Sequence, residues 1–198
     1  MTNNKTLDLR IRRTHKLLFD ALIFLLSEKN FDNISITDIC DKAMVHRTTF
    51  YKHFEDKYHL LDSLISQLVK NFEEKSTKQT PVDNPRKYYV NLFKLLLEHM
   101  QENMKMYSVG LLNNGSTIKV LQKIVVERTK SKLENDEANG LVFLIPVPVL
   151  SEFYSSAMVS LASWWIENNM PLSIDDMVKY GDMMINKLDI NDKQTSIY

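Results

Sequence analysis

Between Phe31 and Leu61 the chain holds two apolar-patterned stretches that are each too short to fold alone, set between two longer ones. The short ones run from Asp38 to about Ala43 and from Arg47 to about Phe54, with only Met44, Val45 and His46 between them. A helix of about two turns does not offset the entropy of ordering its own backbone, so both must pack on their neighbours. The preceding neighbour reads as a helix from about Leu9 to Lys29. Its Ile11, Leu18, Leu22 and Leu25 recur at helical spacing, and Leu17, Ala21 and Leu26 widen the stripe. Asn30 and the segment Phe31-Asp32-Asn33 break it, Phe31 turning back onto the same core. The following neighbour reads as a helix from Tyr58 to about Lys75, with Leu61, Leu64, Ile65, Leu68 and Phe72 on one face. Thr37, or Ser35 in an alternative register, can cap the first short helix by accepting a backbone N–H bond.

The rest of the chain is helical in pattern too, and the fold class is all-α. Four glycines and five prolines in 198 residues leave little for tight turns. The polar stretch 76–85, with Pro81 and Pro85, reads as a loop and as the clearest break, separating roughly 1–75 from 85–198. Beyond it come helices from Arg86 to Gln101, Ser116 to Leu133, Val149 to Asn168, and Ser173, capping by its hydroxyl, to about Leu188. A broken patch runs through Met104 to Tyr107, and residues 135–140 form a loop.

Charge and motif content narrow the function. The formal net charge is zero, so the chain as a whole is not drawn to nucleic acid. The first sixty residues nevertheless hold ten Lys and Arg against eight Asp and Glu, and four of the five histidines. The single Cys40 excludes an internal disulfide, fits a reducing compartment and reads as a small buried hydrophobe. The polar N-terminus is unlike a signal peptide. The longest apolar run, Leu141 to Leu150, is interrupted by Pro146 and Pro148 and is too short to span a bilayer. A soluble, cytoplasmic protein with no membrane partner is expected. No glycine-rich phosphate loop, HExxH or paired Cys/His spacing is present, so neither an enzyme, a metal site nor a cofactor is expected.

The chemistry lies in the second short helix. Phe50 and Phe54 are four residues apart and point inward, leaving Arg47, Thr48, Thr49, Tyr51, Lys52 and His53 outside. Such a face suits the major groove of DNA, where Arg bonds guanine in bidentate fashion and a Thr methyl touches thymine. Tyr, Lys and His at the margins suit phosphate oxygens.

The segment ISITDICDKAMVHRTTFYKHFEDKYHLL closely resembles the DNA-binding domain of the tetracycline-repressor (TetR) family. The match rests on Thr37, Ile39, Ala43, Val45, Thr49, Phe50, Tyr51, His53, Phe54, Lys57, Leu60 and Leu61, in the family's order and spacing. The resemblance implies an N-terminal three-helix helix-turn-helix DNA-binding domain, 1–57, joined to a C-terminal helical ligand-binding and dimerisation domain, 58–198. It places Arg47 and Thr48 nearest base edges. Thr37, Tyr51, Lys52, His53 and Lys57 fall against phosphate, and Arg12 or Arg13 reaches the backbone. Two residues depart from the pattern: Met44 stands where the family has glycine, and His46 where it favours serine. A position that needs positive φ is costly for Met, and His46 makes a weaker helix cap.

The segment LASWWIENNMPLSIDDMVKY resembles the end of a group of family members with C-terminal domains of similar size. Residues 149–168 are apolar on two sides. One stripe holds Leu150, Phe153, Tyr154, Ala157, Met158, Leu161, Trp164 and Trp165, and a second, with small members, holds Ser155, Val159, Ala162 and Ile166. A partner subunit or the chain itself can fill the second side, and the resemblance favours a homodimer through 149–168 and 173–188 on palindromic double-stranded DNA. Phe93, Met100, Met104, Tyr107, Phe153, Met158 and Trp164 are candidates for the lining of a pocket that takes a small apolar ligand. The expected function is a transcriptional repressor released by that ligand. The alternatives are an activator, or a helical adaptor of the same fold that answers to a protein partner.

Overall fold

The computed structural model describes residues 2–79, 85–112 and 115–186, and they form eight α-helices. These are α1 (Thr2–Leu26), α2 (Ile36–Ala43), α3 (Arg47–Phe50), α4 (Lys57–Gln79), α5 (Pro85–Glu102), α6 (Gly115–Ala138), α7 (Val147–Glu167) and α8 (Ile174–Asn186). A 3₁₀ turn, Phe31–Asn33, lies between α1 and α2, and a π-helix, Met106–Leu111, lies between α5 and α6. None of the described helices is long and apolar enough to cross a membrane.

Several ends differ from the pattern reading. The polar stretch expected as a loop completes α4 as far as Gln79, and Pro85 opens α5. Proline suits a first helical turn, where its missing N–H is not needed; residues 80–84 lie outside the described residues. α6 continues to Ala138, through most of the segment expected as a loop. The end of the last helix expected at Leu188 also lies outside the described residues.

The chain packs as two units, one of Met1–Gln67 with Asn103–Lys119 and one of Leu68–Glu102 with Val120–Tyr198. A single cut in the sequence, whether at 57 or at 76–85, does not describe this division. In the first unit α1 supplies Leu18, Leu22, Leu25 and Leu26, α2 supplies Ile39, Cys40 and Ala43, and α4 supplies Leu60, Leu61, Leu64 and Ile65, all buried. Phe31 turns back into this core and is fully buried. The π-helix belongs to the same unit and packs on α1. Gly110 makes that approach possible, since a Cβ there would stand 2.4 Å from the Leu26 carbonyl oxygen.

In the second unit α5 packs on α8 and α7. Ser173 accepts the Asp176 N–H at 3.1 Å, the cap expected for α8. On α7 the stripe of small residues is buried within the chain, together with Leu150 and Trp165 of the other stripe. Ser155, Val159, Ala162 and Ile166 are covered, and Ser155 donates or accepts a hydroxyl bond with Thr129 of α6 at 3.0 Å. Val149, Phe153 and Trp164 are exposed.

Candidate nucleic-acid interface

α2 begins with a closed cap. Ser35 Oγ accepts the Asp38 N–H at 3.1 Å, and the Asp38 carboxylate accepts the Ser35 N–H at 2.8 Å. Lys29 donates to the same carboxylate at 2.9 Å. These bonds hold the Asp38 carboxyl down at about 2, the backbone N–H of Ser35 being the largest cause. Ser35 is thus the cap, and Thr37 sits exposed in the first turn.

α2 ends at Met44, whose φ of 53° and ψ of 42° are left-handed. The Val45 N–H bonds the Cys40 carbonyl at 3.0 Å, the bond that closes a helix and reverses the chain. Glycine adopts this conformation without cost, whereas Met keeps it here with its side chain 91% exposed. His46 then occupies the N-cap position of α3 without a side-chain cap bond.

α3 proper is four residues long, but its hydrogen bonding continues beyond Phe50. Tyr51 N–H bonds the Arg47 carbonyl, His53 N–H the Phe50 carbonyl at 2.9 Å, and Phe54 N–H the Phe50 carbonyl at 2.9 Å. The helical spacing therefore sorts the side chains into strips. Phe50 and Phe54 are buried, Thr49 and His53 are half-buried, and Arg47, Thr48, Tyr51 and Lys52 are exposed on one side. That exposed strip is made of a guanidinium, a hydroxyl, a phenol and an ammonium, with no carboxylate from Met44 to Phe54.

His53 is less free than the strip beside it. Its ring meets the ring of His15 on α1 edge-on, with centroids 5.1 Å apart, and His15 also lies 4.8 Å from Phe54. Burial, then the charge of His53, lowers the pKa of His15.

Lys57 corrects an expectation. Its Nζ donates to the carbonyls of Phe31 and Asp32, each at 3.0 Å, and of Ile34 at 2.9 Å, and lies 4.8 Å from the Phe31 ring centroid. An ammonium has three donors, and all three are spent on the turn that leads into α2. Lys57 therefore ties the start of α4 to that turn instead of standing free for phosphate.

The residues expected to line a ligand pocket are divided between the two units. Phe93 and Met100 are buried on α5, Met158 is half-buried, and Phe153 and Trp164 lie on the exposed side of α7. Met104 and Tyr107 belong to the first unit, Met104 exposed and Tyr107 buried.

Comparison with known proteins agrees with this geometry. Residues 18–64 match the family model for bacterial regulatory proteins of the tetR family, and residues 91–187 match a transcriptional regulator C-terminal region. The chain belongs to the TetR family of transcriptional regulators. Among relatives of this regulator, the transposon Tn10 TetC protein of Escherichia coli is 23% identical over 166 residues, 83% of this chain and 82% of that one. A putative TetR-family regulator from Syntrophomonas wolfei has the same fold, with a TM-score of 0.69 at 17% identity over 94% of this chain and 99% of that one. A TetR regulator from Streptococcus agalactiae superposes with a TM-score of 0.62 at 22% identity, covering 92% and 98% of the two chains.

Proposed function

We propose that this TetR-family regulator is a sequence-specific repressor that reads a palindromic operator as a homodimer and is released by a small molecule. The observation that carries the reading is the exposed strip Arg47, Thr48, Tyr51 and Lys52, a face of donors backed by the buried Phe50 and Phe54. Arg47 and Thr48 take the base edges, while Tyr51, Lys52, Thr37 and the outer edges of Thr49 and His53 take phosphate. The homodimer forms through the exposed apolar side chains of α7 and α8: Val149, Phe153 and Trp164 on one, Tyr180, Met183 and Met184 on the other. A ligand that favours a conformation with mismatched recognition helices lowers DNA affinity, and DNA lowers ligand affinity by the same factor.

The test is a gel shift on DNA from upstream of the protein's own coding region. Arg47→Ala should cost about 1–3 kcal/mol on the specific site and relax the preference among operator variants. Lys52→Ala should weaken binding evenly and lower the salt slope by about one. An unchanged preference in Arg47→Ala would remove Arg47 from the base edges.

A further inference from the structure

In the second unit a cluster of rings gathers under the segment 141–146. Tyr88, Tyr89, Leu133, Val147 and Leu150 form its buried part, with Phe143, Ile145 and Tyr154 packed against them. Val142 and Leu144 face solvent while Phe143 and Ile145 pack down, so the segment lies over the cluster as a bent strap.

Two buried polar atoms of this unit have no hydrogen-bond partner among the described residues, Tyr89 Oη in the cluster and Asp136 Oδ2. Their residues are 6% and 7% exposed. The other carboxylate oxygen of Asp136 takes the Lys132 ammonium, which also lies 5.1 Å from the Tyr88 ring centroid. Burial first, and the Asp136 charge second, push the Tyr89 phenol well above its usual range, so it remains a neutral O–H donor. An open acceptor and an open donor thus stand near enough for the Asp136 charge to act on the phenol, both out of water, where an unmade bond is most costly.

We propose that this site binds a small neutral aromatic molecule carrying a hydroxyl group, which donates to Asp136 Oδ2 and accepts from Tyr89 Oη. A hydroxyl is both donor and acceptor, so one group satisfies both orphan atoms. A cation fits less well, because Lys132 already compensates the carboxylate and would repel a second positive charge. An anion would face the charges of Asp136 and of the half-buried Glu73. The ring lies among Tyr88, Tyr154 and Phe143, and the strap 141–146 gives the way in. Binding stands on this geometry alone; only its effect on DNA rests on the regulator being released by a ligand.

The experiment titrates the full chain calorimetrically with phenol, with toluene, which has a methyl in place of the hydroxyl, and with benzylamine as a cation. Phenol should bind saturably, about tenfold or more tighter than either of the others. Tyr89→Phe should reduce phenol to the level of toluene. It should leave the melting temperature of the ligand-free protein unchanged or raised, because it deletes a hydroxyl that has no protein partner. The proposal is overturned by the absence of saturable phenol binding, by equal binding of phenol and toluene, or by phenol binding that Tyr89→Phe does not alter. A lower melting temperature in Tyr89→Phe also overturns it, since an internal water would then be what the hydroxyl holds. Phenol that binds at Tyr89 but leaves the operator complex intact upholds the site and defeats release by a ligand there. Operator release by phenol that persists undiminished in Tyr89→Phe defeats the site and upholds ligand release.

Discussion

α3 and α7 both carry apolar side chains at helical spacing, yet they are built on different logic. α3 buries one strip, Phe50 and Phe54, and offers solvent only polar groups apart from the rim of Tyr51. α7 buries a strip of small and branched residues, Ser155, Val159, Ala162 and Ile166, and turns Val149, Phe153 and Trp164 outward. A helix with one apolar face has one way to satisfy it. A helix with two divides them between the chain and its surface, and the small side chains of the narrow strip let α6 come close enough for Ser155 and Thr129 to bond. Leu150 and Trp165 of the wide strip are buried too, so what stays outside is Val149, Phe153 and Trp164, the surface the proposed homodimer uses.

The largest effect that can break this comparison comes from two arginines on the same helix. Ala162 is 1% exposed, so Ala162→Arg buries an unpaired charge and should cost about 3–5 kcal/mol or unfold the protein. Trp164 is 43% exposed, and Trp164→Arg should keep the melting profile of the protomer while halving its sedimenting mass. Circular dichroism with sedimentation velocity separates the two. A folded, monomeric Ala162→Arg would mean that the strips are assigned the wrong way round.

A second substitution asks whether Lys57 belongs with the DNA strip or with the core. Lys57→Met keeps the stem over Phe31 but leaves three carbonyls without their charged donor. It should lower stability by about 2 kcal/mol in urea denaturation. The salt slope of DNA binding should not change. A stable protein with a shallower slope would return Lys57 to the phosphates.

These outcomes bear on what a one-dimensional pattern can carry. The positions of Phe50 and Phe54, the cap at Ser173 and the burial of Phe31 and Cys40 are local consequences of spacing and residue type, and they were legible. The role of Lys57 was not, because its acceptors lie 23 to 26 residues away in the chain. Nor was the return of residues 103–119 to the first unit, which depends on Gly110 meeting Leu26, a fit between distant surfaces. On α7 the period showed two apolar strips but not that the inside draws on both, Leu150 and Trp165 along with Ser155, Val159, Ala162 and Ile166. The orphan atoms of Tyr89 and Asp136 were invisible for the same reason: each is unremarkable in its own helix, and only the packing leaves them without partners.

A smaller effect separates the half-buried strip of α3 from the exposed one. His15, against His53 and Phe54, has its pKa lowered by burial, so the folded state resists its protonation more than the unfolded state does. The contribution to stability is therefore full above the ordinary imidazole value of about 6.5 and is lost as pH falls through the lower folded value. The urea midpoint should drop between pH 7.5 and 5.5, and His15→Gln should flatten part of that drop. A midpoint in His15→Gln that falls as steeply as in the parent would remove His15 as the source.

The smallest effect concerns the turn that aims α3. Met44 holds a left-handed conformation, which brings a non-glycine side chain too near the following carbonyl and costs about 1–2 kcal/mol. Its side chain is almost wholly exposed and so contributes little packing in return. Met44→Gly removes the strain but makes the unfolded chain more flexible, which takes back about 0.4–1 kcal/mol. The net gain should be about 0.5–1 kcal/mol, read as a raised melting temperature. The DNA preference should be unchanged, because glycine supports the same φ and the same Val45 to Cys40 bond. Met44→Ala, which relieves nothing, should leave stability where it is. If Met44→Gly instead destabilised the protein by more than about 1 kcal/mol, the exposed Met side chain would have to be packing on something in solution. A neighbouring surface of the dimer or of its DNA would then be the place to look.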